Sequence, residues 1–67
     1  MNDTDKAEMI ARIMEWRRTV AEVGPAISGT LVRCGARLMA DLPDDDLVEL
    51  HDACEAMAEL TTEGFFQ

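Results

Sequence analysis

LPDDDLVELHDACEAMAEL, the stretch Leu42–Leu60, joins a helix start signal to a helical pattern of apolar residues. Pro43 suits the first turn of a helix, and the three aspartates after it would lie where the helix dipole favours negative charge. Apolar residues then recur every three or four positions, as on the inward face of a helix: Leu47, Leu50, Cys54 and Met57. The stretch predicts a helix over residues 43–62 that Gly64 ends.

The same predicted helix carries a line of carboxylates opposite its apolar residues. Residues 41–67 contain nine acidic residues and no Lys or Arg, in a chain whose net charge is −8. The line consists of Asp45, Glu49, Asp52, Glu59 and Glu63, with Glu55 beside it, and we call these six carboxylates the acidic ridge. Like charges three or four residues apart destabilise a helix slightly, so a ridge without Lys or Arg favours a docking surface for a basic partner. The alternative is a solvated face that keeps the protein soluble.

A second amphipathic pattern lies over residues 5–23. Its apolar residues follow a spacing of four, three and four: Met9, Ile13, Trp16 and Val20. Asp5 and Glu8 have the spacing of a capping box at the start of this helix. Gly24 and Pro25 predict its end, because glycine adopts the left-handed conformation and proline cannot continue the hydrogen-bond ladder.

The segment between these two helices predicts a third helix over residues 26–40. Ile27, Leu31, Cys34 and Leu38 would form its apolar line, and polar residues are so few that we expect it to be the most buried helix. Gly29 and Gly35 would then permit close approach of neighbouring helices.

These patterns predict one all-α domain over residues 1–67, with three helices or with two long helices joined by a kinked middle. A chain of 67 residues buries only about 60% of its unfolded surface, so we expect a homodimeric bundle in which a second subunit adds stability. The residues expected in the core or at the dimer contact are Met9, Ile13, Trp16, Val20, Leu31 and Leu38.

The candidate chemical site consists of His51 with Cys34 and Cys54. A structural zinc site needs four ligands at familiar spacing, and the chain has one histidine and no CxxC motif. A cysteine nucleophile would need a base and an orienting group, for which His51 is the only histidine available. We therefore expect no catalytic residue, no metal, no cofactor and no enzyme activity, with His51 at the edge of the core.

The expected compartment is the cytoplasm, with both cysteines reduced, because the first residues are polar and no apolar run approaches the about 18 residues of a membrane span. The six basic residues are expected to pair with carboxylates within or between subunits: Lys6, Arg12, Arg17, Arg18, Arg33 and Arg37. Direct binding of nucleic acid through the acidic third helix is not expected.

In size and acidity the chain resembles the small inhibitors of phages and mobile elements, such as anti-CRISPR proteins and quorum-sensing antiactivators. That resemblance implies an inhibitor or adaptor that docks on a basic surface of a larger protein. The segment LVELHDACEAMAEL, Leu47–Leu60, is similar to the second helix of Rop, a plasmid protein that binds paired RNA hairpins. The alternatives are therefore a dimeric nucleic-acid regulator or a structural subunit of a larger assembly.

Overall fold

The computed structural model describes the backbone of residues 1–66 and the side-chain surroundings of residues 1–60. Across that backbone there are three α-helices and no strand: α1 (Asp3–Thr19), α2 (Val23–Cys34) and α3 (Asp44–Phe66). A short 3-10 helix, Met39–Asp41, lies between α2 and α3. The predicted all-α class with three helices is confirmed. None of the described helices is both long enough and apolar enough to span a membrane.

Helix α1 begins earlier and ends earlier than predicted. The Asn2 side chain caps it by accepting a hydrogen bond from the Asp5 N–H at 2.8 Å, so the predicted capping box of Asp5 and Glu8 is wrong. The helix ends at Thr19 because Val20 takes an extended conformation (φ −121°, ψ 110°) while its N–H still donates to the Trp16 carbonyl at 2.7 Å. This change of direction leaves the Val20 side chain in the core.

The sequence had predicted that Gly24 and Pro25 separate the first two helices, and this prediction is wrong. Helix α2 begins at Val23, so both residues lie in its first turn. The first N–H groups of a helix have no partner within it, and a proline there removes no hydrogen bond. The actual break between α1 and α2 lies earlier in the chain, at residues 20–22.

Helix α2 ends at Cys34, six residues before the predicted end. Gly35 adopts a left-handed conformation with φ 66°, and its N–H donates to the Val32 carbonyl at 3.2 Å. The next N–H, that of Ala36, donates to the Leu31 carbonyl at 2.9 Å, which completes a Schellman motif. Leu38 therefore leaves the predicted helical line, and 63% of its surface is exposed.

Helix α3 follows the prediction at its start. The three aspartates lie in its first turn, and the Leu47 N–H donates to the Pro43 carbonyl at 3.0 Å. Leu42 and Leu47 flank this start at the spacing of a hydrophobic staple, and both are buried. The helix runs to Phe66, so the predicted stop at Gly64 is wrong.

The core is formed mainly between α1 and α3, which share the largest helix–helix contact. Its buried apolar residues are Ile13, Val20, Val23, Ile27, Leu42, Leu47, Leu50 and Cys54. Only Val23 and Ile27 of α2 belong to this group, and Val32 on the same helix is 82% exposed. The prediction that the middle helix is the most buried is therefore wrong.

Gly29 lies in the middle of α2 and is exposed. A Cβ added at Gly29 or at Gly35 would meet no atom within 4 Å. The expectation that these glycines permit close approach of helices is therefore wrong within the chain. A glycine inside a helix is about 1 kcal/mol less favourable than alanine. Nothing within the described residues compensates for that difference at Gly29.

Candidate functional site

The acidic ridge lies on the outer side of α3. Five of its six carboxylates are in the part of the chain with described side chains, and all five are exposed: Asp45, Glu49, Asp52, Glu55 and Glu59. The sixth, Glu63, lies outside those residues. The opposite side of α3 places Leu47, Leu50 and Cys54 in the core, so the helix is divided between apolar and acidic sides.

The ridge has almost no compensating positive charge. Within residues 1–60, one ion pair involves a Lys or Arg, between Arg33 and Asp46, whose nitrogen and oxygen are 3.9 Å apart. Asp46 is half-buried and turned towards α2, off the ridge. Of the five described ridge carboxylates, only Asp52 lies within 4.0 Å of a cationic or potentially cationic side-chain nitrogen, the Nδ1 atom of His51.

The remaining basic residues form no ion pair with carboxylates inside the described part of the chain, so the expected pairing within one subunit is found only at Arg33, and pairing between subunits stays a prediction. Arg12, Arg17, Arg18 and Arg37 are exposed. Arg17 and Arg18 border a shallow depression over Ala11 and Met14 on the outer side of α1. This cationic end of α1 and the acidic ridge on α3 give the molecule an uneven distribution of charge.

His51 is buried, and only 6% of its surface is exposed, so its expected place at the edge of the core is wrong. Its ring packs against Trp16 of α1, with the two ring centroids 5.2 Å apart and the planes tilted by 56°. The Nδ1 atom lies 3.1 Å from an Asp52 carboxylate oxygen. A carboxylate only accepts hydrogen bonds, so Nδ1 carries the proton and donates it.

The second nitrogen of His51, Nε2, is buried and has no hydrogen-bond partner among the residues whose side chains are described. In the neutral ring this atom is an acceptor. The arrangement anchors one carboxylate of the acidic ridge, Asp52, to the α1–α3 core through a buried imidazole.

Both cysteines are free thiols. Cys54 is fully buried one turn after His51, and burial raises the pKa of its thiol above the usual value of 9.0. A raised pKa keeps the thiol protonated at neutral pH, whereas a nucleophile or metal ligand needs the thiolate. Residues 1–60 contain no group of three or more His, Cys, Asp or Glu side chains arranged to hold a metal ion.

The residues proposed for a core or dimer contact fall into three groups by burial. Ile13 and Val20 are buried inside the chain, and Met9, Trp16 and Leu31 are half-buried against the same core. Leu38 alone is largely exposed. The apolar side of α1 therefore packs largely within one chain, and its part in a contact with another chain stays a prediction.

A groove between α2 and α3 was not foreseen from the sequence. It has a volume of about 390 Å³ and is lined by both apolar and polar residues: Ala26, Gly29, Thr30, Arg33, Glu49, Leu50 and Ala53. The signal that could have predicted it is the set of small residues Ala26, Gly29 and Ala53. Their side chains are too small to fill the space between the two neighbouring helices.

The comparisons with known proteins give no relative for this chain: no family model, no curated protein and no solved structure matches it.

Proposed function

We propose that this chain is a non-enzymatic binding protein that docks its acidic ridge on a basic surface of a larger protein, as an inhibitor or adaptor. The observation that carries the proposal is the exposure of five ridge carboxylates, of which only Asp52 forms an ion pair or potential ion pair in residues 1–60. Their helix is held in place from its other side, so the ridge is a preformed surface.

The arrangement of charge slightly destabilises the free chain, and a basic partner would relieve this repulsion. Glu55 and Glu59 are four residues apart, as are Asp45 and Glu49, and each such pair destabilises an isolated helix by roughly 0.2–0.5 kcal/mol. A surface that serves solubility alone commonly mixes both signs of charge. A cluster of Lys or Arg on a partner would remove the repulsion and would accelerate the encounter.

The spacing of the ridge favours a protein partner over imitation of a nucleic acid. From Asp45 to Glu59 there are fourteen residue steps of about 1.5 Å each, or about 21 Å in all. Five carboxylates over that length give about one charge per 5 Å, whereas duplex DNA has about one per 1.7 Å. A basic patch on a folded protein matches the lower density.

The rival proposal is the nucleic-acid regulator similar to Rop. Its binding surface would be the exposed arginines of α1, since α3 presents carboxylates that repel phosphate. Arg12, Arg17 and Arg18 project in three different directions around α1, because successive residues of a helix are rotated by about 100°. A gel-shift assay with total RNA and duplex DNA tests this rival, and we expect no shift.

The proposed lack of enzyme activity is supported by the buried state of the one cysteine near the histidine. Cys54 has no exposed surface, and the raised pKa of its thiol favours the unreactive protonated form. We propose no cofactor, and we assign the chain to the class of small inhibitors or adaptors on the basis of its charge and size alone.

The experiment that tests the proposal compares two charge-matched triple variants. The ridge variant replaces three exposed carboxylates on α3: Asp52→Asn, Glu55→Gln and Glu59→Gln. The control replaces three exposed carboxylates outside α3: Glu8→Gln, Glu15→Gln and Glu22→Gln. Each variant changes the net charge by the same amount. Asparagine at position 52 keeps an oxygen that can accept from Nδ1 of His51, so the variants differ chiefly in where the charge is removed.

Wild-type and variant chains are used to capture proteins from a lysate of the source organism, at low and high salt. We expect the wild type and the control to retain a basic protein at low salt, the ridge variant to lose it, and high salt to release it. If the ridge variant and the control retain the basic protein equally well, the ridge is only a solvated face.

A further inference from the structure

The outer side of α2 is a surface that the fold leaves uncovered. Pro25, Ser28, Gly29 and Val32 follow the spacing of one helical line, and all four are exposed. Val32 is 82% exposed, the largest exposure of any large apolar residue in the described chain. These residues are small or apolar, unlike the charged outer sides of α1 and α3.

This line continues into the groove between α2 and α3. Gly29 belongs to both, and Ala26, Leu50 and Ala53 are apolar residues that line the groove beside it. Because a Cβ at Gly29 would touch nothing within 4 Å, the glycine leaves open space that the chain itself does not use. A neighbouring helix can approach the backbone most closely where a residue has no side chain.

We propose that a second copy of this chain covers the outer side of α2, forming a two-fold symmetric dimer in which α2 of each copy lies over the α2–α3 groove of the other. Gly29 allows the two α2 helices to approach closely, and Val32 of each copy packs on the apolar residues of the opposite groove. The surface is self-complementary, as a two-fold contact requires.

The charges beside the groove favour a second copy over a basic partner. Arg33 lines the groove from α2 and Glu49 lines it from α3, so its two walls have opposite charges. In a two-fold contact the same residues meet reciprocally, so each Arg33 pairs with Glu49 of the partner subunit. The Arg33 side chain is 60% exposed and is 3.9 Å from Asp46, which leaves it able to reach a second carboxylate.

The dimer shares only Glu49 with the acidic ridge, so the dimer and the docking of the ridge can fail independently. Glu49 lies at the edge of the ridge beside the groove, whereas Glu55 and Glu59 do not line it. A dimer that binds no basic protein would contradict only the proposed function, and a monomer that binds one through the ridge would contradict only the dimer.

The first test measures the mass of the chain by sedimentation equilibrium over a range of concentrations. We expect wild-type chain to form a dimer, and Val32→Glu to weaken the dimer about a hundredfold because it would bury an unpaired charge. Met14→Glu is the matched control, since Met14 is exposed on the outer side of α1 and should leave the dimer unchanged. Circular dichroism verifies that each variant is folded.

The second test exchanges the charges of Arg33 and Glu49 in separate chains. Arg33→Glu alone and Glu49→Arg alone each place like charges at both reciprocal contacts, so each should weaken its own dimer at least about tenfold. An equimolar mixture of the two variants restores opposite charges at both contacts, and native mass spectrometry should detect a mixed dimer. A contact within one chain cannot be restored by mixing.

Three results would overturn the proposal. Wild-type chain that remains a monomer at millimolar concentration contradicts it directly. A dimer that tolerates Val32→Glu as well as it tolerates Met14→Glu uses another surface. Variants that form no mixed dimer would show that Arg33 and Glu49 do not meet across the contact.

Discussion

Helices α2 and α3 both carry apolar residues at helical spacing, but the structure uses them differently. The two sides of α3 differ strongly in polarity, and its apolar side lies against α1 while its acidic side faces water. Helix α2 has apolar or small residues on most of its surface, with Arg33 as its one charged residue, and only Val23 and Ile27 are buried. A helix with one polar side has one place in a core, whereas a helix without such contrast keeps apolar surface that only another molecule can cover.

The largest expected difference between these helices is in the free energy of unfolding after truncation of one apolar residue. Leu47 on α3 is fully buried, so Leu47→Ala should lower the free energy of unfolding by about 3 kcal/mol through lost burial and a residual cavity. Val32→Ala on α2 should change it by less than about 0.5 kcal/mol in the monomer. Urea denaturation at micromolar concentration measures both. A larger effect at Val32 would mean that the core is placed incorrectly.

Two glycines sharpen the comparison inside α2. Gly35→Ala forces a residue with a Cβ into the left-handed conformation and should lower the free energy of unfolding by about 1–2 kcal/mol. Gly29→Ala meets no atom within 4 Å and should raise it by up to about 1 kcal/mol in the monomer, while weakening the dimer. Thermal denaturation at low and high protein concentration separates the two effects. Equal behaviour of the two alanine variants would contradict the assigned end of α2.

The starts of α1 and α2 offer a smaller contrast. Asn2→Ala removes the side chain that accepts from the Asp5 N–H and should destabilise the chain by about 1 kcal/mol. Glu22 stands at the corresponding position before α2 and makes no capping hydrogen bond through its side chain, so Glu22→Ala should have little effect. Chemical denaturation of both variants tests this, and an equal loss from each would argue against the assigned cap.

The smallest effect expected is a dependence of stability on alkaline pH. Burial raises the pKa of the Cys54 thiol in the folded chain, so the unfolded chain loses this proton first as the pH rises above 9.0. The stability contributed by the protonated thiol is present below pH 9.0 and is lost as the pH rises from there through the folded pKa. Cys54→Ala should remove this part of the alkaline decline. The same slope in both chains would assign it to other groups.

The fold class and the course of α3 could be predicted from the sequence because polarity, capping signals and apolar spacing agree there. The boundaries of α2 could not, since Leu38 continues the spacing of Leu31 and Cys34 beyond the residue where the helix ends. Gly35 carried the signal for that end, but a glycine inside an uninterrupted apolar pattern fits helix packing equally well. The left-handed conformation of Gly35 is what ends α2 at Cys34.

The candidate surfaces were predictable in part. The exposure of the acidic ridge follows from its position opposite an apolar line, which the sequence contains. The burial of Leu42 was missed, although its spacing to Leu47 across a helix start is that of a hydrophobic staple. The groove beside Gly29 depends on how far apart two helices pack, and no periodicity along one chain determines that distance.

The central claim is that α3 divides its carboxylates between two uses, with Glu49 in a contact between copies and the rest of the acidic ridge free for a partner. Carbodiimide labelling of carboxylates, followed by mass spectrometry at increasing protein concentration, tests it most directly. We predict that labelling of Glu49 falls as the concentration rises while labelling of Glu55 and Glu59 stays constant. Labelling that is unchanged at all three residues, or that falls equally at all three, would contradict the claim.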